Sequence, residues 1–446
     1  MTAPTAASRP LPEPEPADLP TVAPVDDVLA DLEWRGLIAQ TTDREALARD
    51  LAAGPMTLYC GFDPTADSLH VGSVVPLLTL RRFQLAGHRP IALAGGATGF
   101  IGDPTGRSAE RSLMTAEVVA ARTRLLSAQM QRFLSFDDGP SGAVLTDNLD
   151  WTAGLPVLEF LRDVGVHFPV NQMLARESVS ARLESGGLSF TEFSYQLLQS
   201  MDYVELHRRH GCRLQIGGND QWGNITAGLD LLRRVEGASA HALTLPLITD
   251  ANGQKIGKST GGGNVWLDAT MTSPYALYQF GLNVDDRDVG AYLRLLTFVG
   301  RAEVEQLDAA TAERPAARAA QRRLAAELVA LVHGGEQVGL VQAASAALFG
   351  GGALEALDEA TLRAALESAP SVHAEADEPL VVELLAAALG LSRSEVRRAV
   401  KDGGAYVNNR RVTDEHAVLL DEHWLHGRFA VLRRGRKSVA VAERSG

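Results

Sequence analysis

Cysteine is scarce: Cys60 and Cys212 are the only two in 446 residues, with no CxxC pair and no His/Cys cluster at ligand spacing. With so thin a supply neither a disulfide framework nor a structural zinc site is indicated, and a reducing compartment fits. Long apolar runs are missing too. No stretch of about 18 uninterrupted apolar residues occurs, and the N-terminus lacks the compact apolar core of a secretory signal, so no membrane association and a cytoplasmic location are expected. Positive charge is also in deficit, with a formal net of -13 that, taken alone, argues against a nucleic-acid binder. Its distribution weakens that argument. From Leu391 to Gly446 there are 12 Lys and Arg against 7 Asp and Glu, a local net of +5 that leaves -18 on the rest of the chain.

What is present is ordinary soluble protein: 46% hydrophobic and 22% charged residues, in a length sufficient for two or three domains. Residues 1–25 are dominated by Pro, Ala and acidic side chains, too little apolar surface to offset ordering entropy, and a disordered tail is expected there. From Leu58 short apolar runs ending in Gly alternate with helical patterns, the signature of an α/β domain with a Rossmann-like parallel sheet over 26–271. Strands are expected at Leu58 to Phe62, Ile91 to Ala94, Ala143 to Thr146, Arg213 to Ile216 and Leu243 to Ile248. Between the first two, Val74, Val75, Leu77, Leu78 and Leu85 fall on one side of a helix closed by Gly87, making a right-handed β-α-β unit. Ser273 and Pro274 give a helix start, and an Ala- and Leu-rich α-helical domain follows over 272–370. A polar linker at 371–378 then leads to a small basic α+β module over 379–446.

The first chemical cluster is Tyr59-Cys60-Gly61-Phe62-Asp63-Pro64-Thr65 with Leu69-His70-Val71-Gly72-Ser73, from a strand end to a helix start. A helix N-terminus offers free N–H groups, Gly72 admits close backbone approach and His70 can donate to a phosphate oxygen. Standing alone, HxG is better explained as a satisfied surface histidine beside a glycine. The second cluster, Lys255-Ile256-Gly257-Lys258-Ser259, sits on a glycine-flanked loop after a strand, where two ammonium groups can meet charge developing on a polyphosphate; a solvated basic loop is the plainer account. Between them Tyr195, Gln199 and Asp202 lie at i, i+4 and i+7 of a helix with Thr191 as expected N-cap, and so share one face. That face lines a polar pocket or is simply solvated. Gly217 to Asn224 marks a further strand-to-helix junction.

Taken together, these segments resemble one family. HVGS is similar to the HIGH motif and KIGKS to the KMSKS motif of class I aminoacyl-tRNA synthetases, and YCGFDPTADSLHVG, GGATGFIGDP, SFTEFSYQLLQSMDY and LQIGGNDQWGN resemble the bacterial tyrosyl enzymes. The resemblance implies that Tyr59 and Asp202 bind the tyrosine hydroxyl, that Asp103, Tyr195 and Gln199 hold its ammonium group and that Gln221 lies on its carboxylate side. It further implies Cys60, Asp63, Thr65, His70, Gly72, Ser73, Asp220, Gln221 and Lys258 around ATP. Lys255, Lys258 and Ser259, with Arg107 and Arg111, are implied to clamp the leaving pyrophosphate, helped by magnesium carried on the nucleotide, with no structural metal. A homodimer on which one tRNA reaches across both subunits is implied as well. Ser73 stands where the motif usually has a second His; it is either a shorter donor to ATP or only the helix N-cap. In KIGKS, Ile256 and Gly257 replace Met and Ser, which leaves both ammonium groups.

The basic module resembles an S4-type RNA-binding domain. Ser392 reads as an N-cap, Arg393, Arg397 and Lys401 share a helix face beside Arg398, a hairpin is expected around Asn408-Asn409, and Arg433, Arg434, Arg436 and Lys437 follow. Such a surface contacts phosphates and helix shape rather than bases. Three readings compete: a tryptophanyl-tRNA synthetase, a small-metabolite nucleotidyltransferase with the same HIGH-type site, and a catalytically dead RNA-binding paralogue, against which the presence of His70, Asp220, Lys255 and Lys258 argues. A Tyr59 and Asp202 pair suits a phenol better than an indole, and a metabolite enzyme has no use for the helical and basic modules.

Overall fold

The structure, a computed structural model, describes residues 11, 22–105, 113–174, 179, 183, 187–249, 264–350, 352–367, 369–435 and 438–444. Strands β1 (Gln40–Thr41), β2 (Thr57–Phe62), β3 (Arg89–Ala94), β4 (Val144–Asp147), β5 (Cys212–Gly218) and β6 (His241–Leu245) form one sheet in the order β1-β6-β5-β2-β3-β4. Every neighbouring pair is parallel except β1 with β6. The expected strands are all present, with ends displaced by a few residues; the short β1 was not foreseen. Strand order reverses at β2, which has β3 on one side and β5 on the other, so a crevice opens beyond the carboxyl ends of β2 and β5.

The helix Val71–Leu85 makes the crossover from β2 to β3. Burial is not confined to the expected apolar side: Thr79, Arg82 and Gln84 are buried as well as Val74, Leu77 and Leu80. Arg82 and Arg35, the latter on the helix Val28–Arg35, share the Asp31 carboxylate at 3.2 and 3.0 Å. Both reach the carbonyls just beyond the helix Val289–Leu296, Arg82 Nη2 donating to Thr297 O at 2.5 Å and Arg35 Nη2 to Val299 O at 3.2 Å. Burial pushes the Arg82 guanidinium down to about 9, with Arg35 adding to the fall and Asp31 opposing it. Free carbonyls and the negative end of a helix supply part of the compensation that two buried cations need. This clamp ties the Val289–Leu296 helix to the α/β body.

Accordingly the chain divides into two compact units, Met1–Met271 with Val284–Leu324 and Thr272–Asn283 with Ala325–Gly446, rather than at the expected boundaries. The second unit contains the helices Pro274–Leu282, Gly335–Gly350 and Glu359–Leu366 and a sheet of β7 (Ser371–His373), β8 (Ala405–Val407), β9 (Arg410–Arg411), β10 (Phe429–Arg434) and β11 (Ser438–Glu443), ordered β7-β11-β10-β8-β9. Ser273 caps the first of those helices as expected. The stretch read as a linker begins with β7, which pairs in parallel with β11. The helices Val381–Leu389 and Arg393–Lys401 pack Val381, Leu385, Val396 and Val400 with Trp424 and Leu432 into a separate core. Ser392 forms a capping box with Glu395, and the β8–β9 hairpin turns through Asn408 and Asn409 at φ 45 and 63°.

Candidate active site

A cavity of about 420 Å³ opens at the strand reversal, lined from β2 by Tyr59 and Cys60, from the following turn by Asp63 and Thr65, and from the helix start by His70, Gly72 and Ser73. Asp103, Tyr195, Gln199, Asp202 and Gln221 also line it. Twelve positions that the sequence placed at a substrate site thus converge on one cavity. Asp220 does not line it; it is exposed on the short turn Asn219–Gln221, close enough to Gly218 that a Cβ there would lie 2.7 Å from Asp220 Oδ1. Lys255, Lys258, Ser259, Arg107 and Arg111 lie outside the described residues, as do almost all of the expected tail and Arg436 and Lys437.

At the closed end Tyr59 is 1% exposed and its ring meets Tyr203 edge to face at 5.3 Å. Its hydroxyl has no hydrogen-bond partner among the described residues. Asp202, equally buried, accepts from Asn148 Nδ2 at 3.0 Å and Trp151 Nε1 at 2.9 Å. Burial lifts the Asp202 carboxyl to about 8, against the pull of those two donors. Two more buried oxygens without a hydrogen-bond partner among the described residues, Gln199 Oε1 and Gln215 Oε1, belong to residues that line the same cavity. Buried polar atoms without partners cost about 1–3 kcal/mol each, which a ligand supplying partners to those at the cavity would relieve.

The polar wall is built by a relay from β4. Asp147 Oδ1 accepts from Gly96 N at 3.0 Å and Asn148 Oδ1 from Ala97 N at 2.7 Å, holding the turn after β3. Asn148 Nδ2 donates to Thr98 Oγ1 at 3.1 Å, Thr98 to Asp63 Oδ1 at 2.6 Å, and Tyr195 to Asp63 Oδ2 at 2.7 Å. A Cβ at Gly96 would sit 2.3 Å from Asp147 Oδ1, so a larger residue there would displace the carboxylate that accepts from Gly96 N. Gln221 Nε2 donates to Asp103 Oδ2 at 2.7 Å. Acidic groups, Asp63, Asp103 and Asp202, thus dominate this part of the cavity wall.

His70, not Ser73, is the N-cap of the Val71–Leu85 helix: its Nδ1 accepts from Gly72 N at 3.0 Å, and burial lowers its pKa. Ser73 lies in the first turn, so the reading of it as the cap is corrected. Ser189 rather than Thr191 caps the helix Phe190–His210, accepting from Glu192 N at 3.2 Å. The Cys60 thiol is pushed up to about 12 by burial, which makes it a neutral packing group.

Sequence reasoning missed Asn148, Trp151, Thr98 and Gln215. Gln215 had a legible signal, a lone amide within the apolar β5 run, and it pairs in register with Tyr59. The other three become site residues only through hydrogen bonds that span tens of residues.

In the basic module Arg393, Arg397, Arg398, Lys401 and Arg434 are exposed. Arg393 lies 3.1 Å from Glu383 and Arg397 3.6 Å from Glu415, exposed pairs worth about 0–1 kcal/mol that phosphates can displace. Arg433 is a correction: it is 8% exposed, stacks on Tyr406 at 4.7 Å and turns its Nη1 to Leu348 O at 3.5 Å, so it is spent inside the fold.

The family model described as tRNA synthetases class I (W and Y) matches residues 51–350, and that for the tyrosine--tRNA ligase SYY-like C-terminal domain matches 361–442. A tyrosine--tRNA ligase of Streptomyces coelicolor is 59% identical, over 94% of this chain and 99% of that protein. One of Mycobacterium tuberculosis is 56% identical over the same shares. Among solved structures, a C-terminally truncated mitochondrial tyrosyl-tRNA synthetase of Aspergillus nidulans superposes with a TM-score of 0.65 at 32% identity, covering 71% of this chain and 92% of that one.

Proposed function

The chain belongs to the tyrosine--tRNA ligase family of class I tRNA synthetases, and on that premise we propose how its residues carry out tyrosine activation and transfer. The observation that carries the reading is the unpartnered Tyr59 hydroxyl beside the Asp202 carboxylate at the closed end of the cavity. A phenol fills that gap by accepting from Tyr59 and donating to Asp202. Phenylalanine leaves the Tyr59 hydroxyl buried and unsatisfied and brings Asp202 no further donor, and an indole presents no oxygen to Tyr59. Asp103, Tyr195 and Gln199 receive the ammonium group, and Gln221 stands on the carboxylate side.

ATP enters over Cys60, Asp63, Thr65 and the helix start at His70 and Gly72, with Mg²⁺ carried on its phosphates as part of the substrate. A carboxylate oxygen of tyrosine attacks the α-phosphorus and the bond to pyrophosphate breaks. No strong base is needed, because the nucleophile is already ionised. Catalysis rests on alignment and on charge stabilisation by Lys255, Lys258, Ser259, Arg107 and Arg111. A ribose hydroxyl of the tRNA 3′-terminal adenosine then takes the tyrosyl group and AMP leaves. Arg393, Arg397, Arg398, Lys401 and Arg434 meet RNA phosphates from an S4-like module, while 272–370 serves the anticodon side.

The enzyme works as a homodimer in the cytoplasm, with one tRNA reaching across both subunits. Val157, Leu158, Val166 and Phe190 are each more than two-thirds exposed, an apolar surface that suits a second copy. Among the described residues no helix is long and apolar enough to cross a membrane. Amino-acid-dependent ATP–pyrophosphate exchange tests the reading: tyrosine alone should support it, and exchange with tryptophan, or with neither amino acid, would overturn it.

A further inference from the structure

The β8–β9 turn carries two adjacent asparagines that face opposite ways. Asn408 looks inward: its Nδ2 donates to His423 O at 2.6 Å, and its Oδ1 accepts from Val431 N at 2.8 Å. Asn409 looks outward, and its Nδ2 donates to Ala347 O at 2.6 Å and Gly352 O at 2.9 Å. Ala347 sits in the last turn of the Gly335–Gly350 helix, where carbonyls have no helical N–H to receive. Arg433 turns to the neighbouring Leu348 O, placing a cation at the negative end of the same helix. A third link lies further on, where His426 Nε2 and Leu357 O are 2.8 Å apart. Both asparagines have positive φ, so the side chains are aimed by the turn itself.

We propose that Asn409 is a positioning residue for tRNA charging: by capping the Gly335–Gly350 helix it fixes the basic module on the preceding helices, so that the exposed face of the Arg393–Lys401 helix meets RNA as part of one body rather than as a tethered appendage. The inference rests on the reading that this face binds tRNA. When Asn409 no longer caps that helix, the module is docked for only about a tenth of the time, and the apparent tRNA affinity falls in proportion to the docked fraction.

Two variants test this. Asn409→Gly keeps the positive φ but removes both hydrogen bonds; Asn409→Asp keeps the shape and sets a carboxylate against two carbonyl oxygens. Both should raise the KM for tRNA roughly tenfold with little change in charging kcat, the scale expected when two hydrogen bonds are removed. Tyrosine-dependent pyrophosphate exchange should stay at the parent rate, and hydrogen exchange over 352–358 should quicken. Arg393→Ala combined with Arg397→Ala is the comparator. If that pair raises the tRNA KM while both Asn409 variants leave it unchanged, the positioning role is wrong and the RNA-binding reading stands. If neither set moves it, the RNA-binding reading falls and the proposal with it.

Discussion

The Tyr195 hydroxyl donates to Asp63 Oδ2 at 2.7 Å, joining the Phe190–His210 helix to the turn after β2 across 132 positions of sequence. The two residues belong to different subsites of the proposed reaction, Tyr195 to the tyrosine ammonium and Asp63 to ATP. Under that proposal one hydrogen bond couples the binding of both substrates. Tyr195→Phe should raise the KM for tyrosine and for ATP together, whereas Gln199→Ala should act on tyrosine alone. The cost for Tyr195→Phe is about 1.5–3 kcal/mol, the scale of a bond to a charged group. Steady-state pyrophosphate exchange with each substrate varied in turn distinguishes the cases; an unchanged ATP KM in Tyr195→Phe would show that the subsites are independent.

Tyr59→Phe should have opposite effects on the free protein and on the complex. Removing a buried hydroxyl that has no partner among the described residues should leave the free enzyme as stable or up to about 1 kcal/mol more stable. Tyrosine binding should weaken at the same time. Thermal melts with and without tyrosine read both effects, and a loss of stability in the free enzyme would mean that the hydroxyl is satisfied.

Asp202→Asn should lower the tyrosine-over-phenylalanine ratio in pyrophosphate exchange roughly 10- to 100-fold, by weakening the acceptor for the hydroxyl. It should also change the pH dependence of stability. Burial raises the Asp202 carboxyl from 3.8 to about 8, so the folded state holds this proton more tightly than the unfolded chain does. Its contribution is full at low pH and is lost as pH rises from the unfolded value through about 8. The variant, having no such proton, should gain on the parent between about pH 6 and about pH 9. Parallel melts at the two pH values check this; a constant difference would place the titration elsewhere.

Ser73→His should leave thermal stability within about 0.5 kcal/mol, because His70 and not Ser73 holds the helix cap. The longer donor beside the helix start should tighten ATP. A drop of about 1 kcal/mol with an unchanged ATP KM would return Ser73 to a capping role.

A chain ending at Pro370 should keep tyrosine-dependent pyrophosphate exchange and lose most tRNA charging, because among the described residues the cavity is lined by ones between Tyr59 and Trp266. Cutting after 378 instead would leave β7 without its partner β11. The salt dependence of log affinity should flatten by roughly 0.7 to 0.9 for each phosphate-binding side chain that the truncation removes. Full charging by the truncated chain would show that the C-terminal module is dispensable.

Local chemistry was legible in the sequence. Apolar runs ending in glycine located the parallel strands, Ser273 and Ser392 the helix starts, and Asn408-Asn409 the hairpin, because caps, turns and side-chain period act within a few residues. The motifs likewise gathered Tyr59, His70, Tyr195, Gln199 and Asp202 before any fold was known. Tertiary structure decided the rest. The orphaned Tyr59 hydroxyl, the Asn148 and Trp151 donors to Asp202, the shared clamp of Arg35 and Arg82 and the inward turn of Arg433 all depend on groups tens to hundreds of residues apart. In sequence Arg433 and Arg434 are neighbouring cations of one type. Both faces of β10 are covered as far as Arg433, and Arg434 reaches solvent only as the last residue of the strand, so what packs against each face, and how far along it, decides which cation is buried.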